Sequence, residues 1–410
     1  MTLTIRNARI VDGTADRPSD PCDIIIENGR IREIAAAGSA TTGDSIDAAG
    51  HVVMPGLIDC HVHVIASTAD LGRNAHLPNS LVAAESGAIM RAMLMRGFTT
   101  VRDLGGADIG LVQAVERGLF TGPRLVICGK ALSQTGGHTD YRGPYSNRDV
   151  GWYADRLGSL GRIVDGVDAC RRAAREELKS GAQFIKIMAD GGVSSPSDPI
   201  GYQAFSREEI TAIVEVAKGA GTYVSAHLYD DAAINRALDC GVECVEHGNL
   251  VSASTARRIA KMGAVVVPTT VTYDVLGSEG PAYGLPPESV AKVEDVRSAG
   301  LEALSHLHAA GVTTGFGTDL LGGMMPHQSR EFELRGRYLP AQDVIRSATL
   351  DAAKVLRMEG QVGQLVAGAH ADLIFVKGDP LQDLTLLGDQ GAHIPLILKG
   401  GTVVKRDAHI

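Results

Sequence analysis

The stretch Pro55-Gly56-Leu57-Ile58-Asp59-Cys60-His61-Val62-His63 constrains this chain more than any other. Leu57 to Val64 has the apolar character of a buried strand, and Val52-Val53-Met54 leads into it. Residues two apart on an extended strand leave the same face, so His61 and His63 point together. Two imidazoles on one face at a strand end suit one metal ion. A pair of hydrogen-bonded histidines closing a strand is the plainer reading and the one an isolated motif favours; the rest of the chain reverses it.

The rest of the chain sets the frame. Its 410 residues are too many for one small core and fit a barrel with an accessory domain. A net charge of -9 without a dense Lys/Arg run argues against nucleic acid and against an anionic membrane surface as partners. No apolar run approaches a membrane span and the N-terminus lacks a signal-peptide pattern, so the expected compartment is the cytoplasm. The six cysteines are scattered, and Cys240 and Cys244 have no second pair with which to build a structural zinc site.

Residues 1–55 read as short strands with Gly and Asp turns, including a hairpin at Asn28-Gly29. Residues 362–410 have the same texture, so the two ends are expected to form one composite β-sandwich domain. Between them, residues 56–361 alternate apolar strands with helical segments. After the first strand come Phe98–Asp103, Arg124–Cys128, Phe184–Met188, Thr222–His227, Cys244–His247, Ala264–Val267 and Thr313–Gly317. Eight strand–helix units predict an α/β fold with a closed (β/α)8 TIM barrel. An open doubly wound sheet is disfavoured, because no Gly-x-Gly-x-x-Gly opens a helix after the first strand. The loop from about Lys130 to Asp165 is far longer than the others and is expected over the barrel mouth.

Candidate ligands recur at the C-terminal ends of these strands, where such barrels place their active sites. His61 and His63 end the first strand, His227 the fifth and His247 the sixth, and Asp319 follows the eighth. Each alone is an ordinary polar residue; their coincidence at equivalent ends is not. Lys186 adds a cation inside the apolar run Phe184-Ile185-Lys186-Ile187-Met188. It either snorkels its ammonium to the strand end or loses its charge, for instance by taking up CO2 as a carbamate.

With these motifs the sequence resembles the amidohydrolase superfamily in its binuclear-metal, carboxylated-lysine form. The resemblance rests on the first-strand motif, Lys186, His227, Glu246-His247-Gly248 and Gly317-Thr318-Asp319, and spans nearly the whole chain. It implies that His61, His63 and Asp319 hold one divalent ion and that His227 and His247 hold another. A carbamate on Lys186 then bridges the two. Zn2+ suits imidazole and carboxylate ligands best, with Mn2+, Co2+ and Fe2+ compatible. The implied chemistry is attack on an amide carbonyl by a metal-bridging hydroxide, with Asp319 as general base and then acid. A homo-oligomer is also implied.

Within that superfamily, Ala131–His138, Ile185–Val193 and Ala226–Tyr229 look like the bacterial Xaa-Pro dipeptidase branch, which also holds ochratoxin-hydrolysing members. The resemblance places His138 and Tyr229 near the substrate, His138 on the carbonyl oxygen and Tyr229 on a carboxylate or that same oxygen. The expected substrate is a small molecule, a dipeptide or N-acyl amino acid. A detoxifying hydrolase for ochratoxin A or for a carbamate is the alternative, and a scaffold that has lost its ligands is a third, opposed by six filled ligand positions. Two features are individual. Asp230-Asp231 follows Tyr229, either biasing substrate charge or capping the next helix. The loop Tyr141–Leu160 carries Tyr145, Trp152 and Tyr153, which either cover an apolar substrate group or pack the loop itself. Arg142 and Arg330 are further candidates for a substrate carboxylate.

Overall fold

The computed structural model describes residues 2–39, 43–143, 145–193, 198–283 and 287–408. The chain ends build one eight-stranded sheet. Its path runs Thr402–Arg406, Leu396–Lys399, Leu373–Val376, Val52–Pro55, Thr2–Ile10, Cys22–Glu27, Arg30–Ala36, with Asp44–Asp47 also on Thr2–Ile10. Ile5, Ile24, Ile26, Leu373, Phe375, Leu396 and Leu398 fill its core from both ends of the sequence. The antiparallel pairing of Val52–Pro55 with Leu373–Val376 brings those ends together immediately before the His-x-His strand.

The middle of the chain supplies two parallel sheets. Leu57–Val62, Phe98–Asp103 and Arg124–Ile127 form one of three strands. The other, of six strands, contains Ile185–Met188, Val224–Asp230, Cys244–Leu250 and Val265–Val267 in that order. Its far edge is Ala131–Ser133 and Gly161–Ile163, two short parallel strands that the sequence did not announce. They staple the two ends of the long loop to each other.

Backbone hydrogen bonds join the two parallel sheets. Gln183 N donates to Ile127 O at 2.8 Å on one side. On the other, Gly315 N donates to Val266 O at 2.9 Å and Cys60 N to Phe316 O at 2.7 Å. The expected eighth strand, 313–317, is thus a single parallel bridge between Val266 and Thr314 rather than a regular strand. The chain leaves extended geometry here, turning left-handed at Asp319, φ 51°, and Gly317 runs so close to Val267 that an added β-carbon would lie 2.4 Å from its Cγ1. Helices of the kind a parallel sheet requires follow the strands, among them Asn79–Met95, Arg207–Gly219 and Asp231–Asp239.

Gly56 shows how tightly the first strand is seated. A β-carbon there would lie 2.0 Å from Thr99 Oγ1 and 2.5 Å from its Cγ2, and Thr99 is itself buried. Gly56→Ala is expected to lower unfolding stability by about 1–3 kcal/mol, the usual penalty for overpacking. A urea melt with an unchanged midpoint contradicts this reading of the contact.

Candidate active site

One cavity, with about 400 Å³ of empty volume including its open mouth, is lined by His61, His63, His138, Lys186, His227, His247 and Asp319, among others. Seven of the eight residues singled out in the sequence therefore share one wall. The eighth, Tyr229, stands just behind it, its ring 4.9 Å from that of His227 and 5.6 Å from that of His247.

Strand ends and backbone ties set the geometry. Asp319 N donates to His61 O at 2.8 Å, which brings the chain after Phe316 against the first strand. Asp59 reinforces this from below, accepting from Thr318 Oγ1 at 2.6 Å and Gln328 Nε2 at 2.9 Å. Asp319 Oδ1 consequently lies 3.4 Å from His61 Nε2 and 3.2 Å from His63 Nε2. His247, at φ 70°, and Asp319, at φ 51°, both hold left-handed backbone that non-glycine residues seldom adopt. Strain of this kind gathers where side-chain direction matters more than local stability.

Outward hydrogen bonds decide which ring nitrogen faces the cavity. His61 Nδ1 meets Glu246 Oε2 at 2.8 Å, His63 Nδ1 meets Gly105 O at 3.1 Å, and His247 Nδ1 meets Thr269 Oγ1 at 2.8 Å. These three present Nε2 to the cavity. His227 is reversed, with Nε2 on Gly191 O at 3.1 Å, and presents Nδ1. Carboxylate and carbonyl oxygens only accept, so His61 Nδ1, His63 Nδ1 and His227 Nε2 carry the hydrogen, whereas the Thr269 hydroxyl can donate to or accept from His247 Nδ1.

Charge is unevenly distributed over the group. Burial, then the neighbouring His247 and His138, hold His227 well below the usual imidazole range. Burial and then His61 do the same to His247. Burial also depresses His61, but Asp319 and Glu246 beside it outweigh that and raise it. Burial alone pushes Asp319 up; His61 and His63 more than reverse this and hold it well below the carboxylate range. Lys186 is lowered by burial, and its Nζ has no hydrogen-bond partner among the described residues.

These features fit divalent metal. His61, His247 and Asp319 each offer a ligand atom, all within 4.8 Å of one another. Inward-facing imidazoles, an ionised carboxylate and an unpartnered buried amine form a donor set that suits imidazole- and carboxylate-binding cations.

Other expected residues are occupied elsewhere. Arg142 is tied to Asp140, with Nε–Oδ1 at 2.8 Å and Nη2–Oδ2 at 2.6 Å, and Arg330 to Asp274 at 2.6 Å. Asp230 caps the following helix by accepting from Ala233 N at 2.8 Å, and Asp231 accepts from Ser252 N at 2.9 Å. That agrees with the capping reading of the pair. Of the loop aromatics, Tyr145 is 96% exposed and Tyr153 is buried with Ala75 and Ile163. Trp152 packs at a tilt 4.7 Å from His76, with Arg148 at 4.3 Å and Arg156 at 5.1 Å from its ring. Arg156 in turn donates to Leu77 O at 2.7 Å, fastening the loop to the end of helix Leu71–His76. The residues that do reach the cavity from this region are Tyr141, Leu160 and Leu71, with Thr139 beside them. The sequence held no signal for which loop aromatic turns inward.

Trp152→Ala is therefore expected to speed amide exchange across 141–160 while leaving the choice of acyl group unchanged. Unaltered exchange with a selective loss on bulky acyl substrates places the ring on the substrate instead.

The profile of the amidohydrolase family matches residues 52–403. An ochratoxinase of Aspergillus niger is 32% identical over 367 residues, covering 86% of this chain and 76% of that protein. A crystal structure of a prolidase complexed with N-methylphosphonate-L-proline superposes with a TM-score of 0.97 at 47% identity, covering 99% of this chain and all of that one. A further amidohydrolase structure superposes with a TM-score of 0.96 at 50% identity over the whole of both chains. The chain belongs to the amidohydrolase family, and within it to the branch that holds prolidases and ochratoxinase; it is a hydrolase.

Proposed function

We propose that this protein hydrolyses an amide bond to a C-terminal amino acid, with Xaa-Pro dipeptides and N-acyl amino acids as its substrates. The observation that carries the proposal is the single cavity that collects His61, His63, His138, Lys186, His227, His247 and Asp319. The relatives named prolidase and ochratoxinase both act within this reading. Its frame is a closed (β/α)8 barrel over residues 56–361, joined through the hydrogen bonds at Gln183, Gly315 and Cys60. Residues 1–55 and 362–410 form the accessory β domain.

His61, His63 and Asp319 would hold one ion, His227 and His247 a second, and Lys186, as its carbamate, both. When bound, such ions polarise the scissile carbonyl and acidify a water molecule. The chain's own residues do the rest. The Asp319 carboxylate takes the proton of the attacking water and passes it to the leaving nitrogen. His138, its ring stacked 4.6 Å from His227, donates to the carbonyl oxygen as negative charge grows there. Tyr229 and Tyr273 share one hydrogen bond at 2.8 Å, which uses one phenolic proton and leaves the other for a substrate oxygen. Burial holds Tyr229 above the usual phenol range, so it acts as a donor. The loop through Tyr141 and Leu160 excludes water.

A second reading has a specific observation behind it. Leu71, Tyr141, Leu160 and Leu321 give the cavity an apolar side, which suits an aromatic acyl group of the ochratoxin kind. Parallel assays on dipeptides and N-acyl-aromatic amides separate the two.

For the main reading, amidating the substrate carboxylate should lower kcat/KM by about 10- to 100-fold, the scale of a charged hydrogen bond. Tyr229→Phe should remove most of that difference. Equal rates on the acid and its amide show that the carboxylate is not read. Asp319→Asn should lower kcat by about 100-fold or more; an unchanged kcat removes Asp319 from the proton path.

A further inference from the structure

The four imidazoles that the two-ion reading assigns to metal, His61, His63, His227 and His247, do not lean on equivalent partners. Among the described residues, His63, His247 and His227 hydrogen-bond outward to a carbonyl, a hydroxyl and a carbonyl, all neutral. Asp190 Oδ1 lies 3.6 Å from His227 Nε2, beyond hydrogen-bond distance. Of these four, among the described residues, His61 alone leans on a carboxylate within that distance, Glu246 Oε2 at 2.8 Å.

That carboxylate is inaccessible to solvent and has its own counter-charge. Glu246 and Arg102 are both 0% exposed, and Arg102 Nη2 donates to Glu246 Oε1 at 2.5 Å. The Ser225 hydroxyl donates to the same oxygen. Arg102 is itself fixed by Cys60 O at 2.7 Å and Tyr223 Oη at 3.1 Å. No side-chain nitrogen or oxygen of Arg102 or Glu246 is left without a partner. The chain Arg102–Glu246–His61 crosses three strands, Phe98–Asp103, Cys244–Leu250 and Leu57–Val62. Burying two charges this deeply is a poor way to gain stability, since desolvation offsets the attraction. An arrangement that ends on the back of a cavity imidazole has another use.

We propose that Glu246 and Arg102 are positioning residues that make His61 the strongest imidazole donor of the centre, so that the ion it holds is the last to be released. A carboxylate behind a ligating histidine fixes its ring and raises its basicity more than a neutral acceptor does. The guanidinium supplies the charge that such a buried carboxylate requires. The inference rests on the two-ion reading above.

Titrating zinc-loaded protein against a chelator resolves the release steps and needs no turnover. The wild type should release its ions in two separate steps. Glu246→Gln, which keeps the shape, should weaken the tighter step by about 10- to 100-fold and leave the weaker step in place. Thr269→Val, behind His247, should shift only the weaker step. Arg102→Leu strands a buried carboxylate, so the informative form is Arg102→Leu combined with Glu246→Gln. With both charges gone it should fold, with the tighter step still weakened. Steps that shift together, or a tighter step unmoved in Glu246→Gln, overturn the inference while leaving two ions bound. A wild type that holds a single ion overturns the two-ion reading itself, and this inference with it.

Discussion

A lysine amine buried in an apolar strand, with no hydrogen-bond partner among the described residues, is the constraint around which the cavity is arranged. Lys186 lies in Ile185–Met188, whose residues are all buried, and its Nζ opens onto the cavity wall. An ammonium in that position is strongly disfavoured unless it is neutralised or paired. Nearby Asp319 is engaged by His61 and His63 rather than by Lys186. Burial therefore lowers the proton affinity of this amine at the point where imidazoles from three other strands converge.

Keeping those imidazoles in place has structural consequences well away from the cavity. His247 and Asp319 occupy left-handed backbone, and buried Asp59 links the first strand to Thr318 and Gln328. Asp103 does similar work on the second strand, accepting from Val64 N at 2.7 Å and Gly105 N at 3.0 Å. It thereby fixes the chain on both sides of His63, whose ring rests on Gly105 O. The loop over the cavity is secured independently, by the short strands at its ends and by the packing of Trp152.

Much of this was legible in the sequence because it rests on local spacing. The two-residue interval of His61 and His63, the strand-end positions of His227 and His247, and the apolar flanks of Lys186 each carry their own periodic signal. What was not legible depends on partners far apart in the chain. Arg102 stands in a strand that is buried throughout but reads as polar in sequence, between Val101 and Asp103, and its pairing with Glu246 exists only once the second and sixth strands are brought together. Tyr273 behind Tyr229 and Tyr141 in the cavity wall are likewise products of packing. The expected eighth strand is a single bridge between Val266 and Thr314, and the left-handed turn at Asp319 that follows it is invisible in a string of residues.

The central claim is that Lys186 is carboxylated and anchors the metal centre, and isotopic labelling tests it most directly. Metal-free protein reloaded with Zn2+ in 13C-bicarbonate should show one protein-bound carbamate resonance in its 13C spectrum, absent from Lys186→Ala. Fully metal-loaded, active enzyme with no incorporated label contradicts the account.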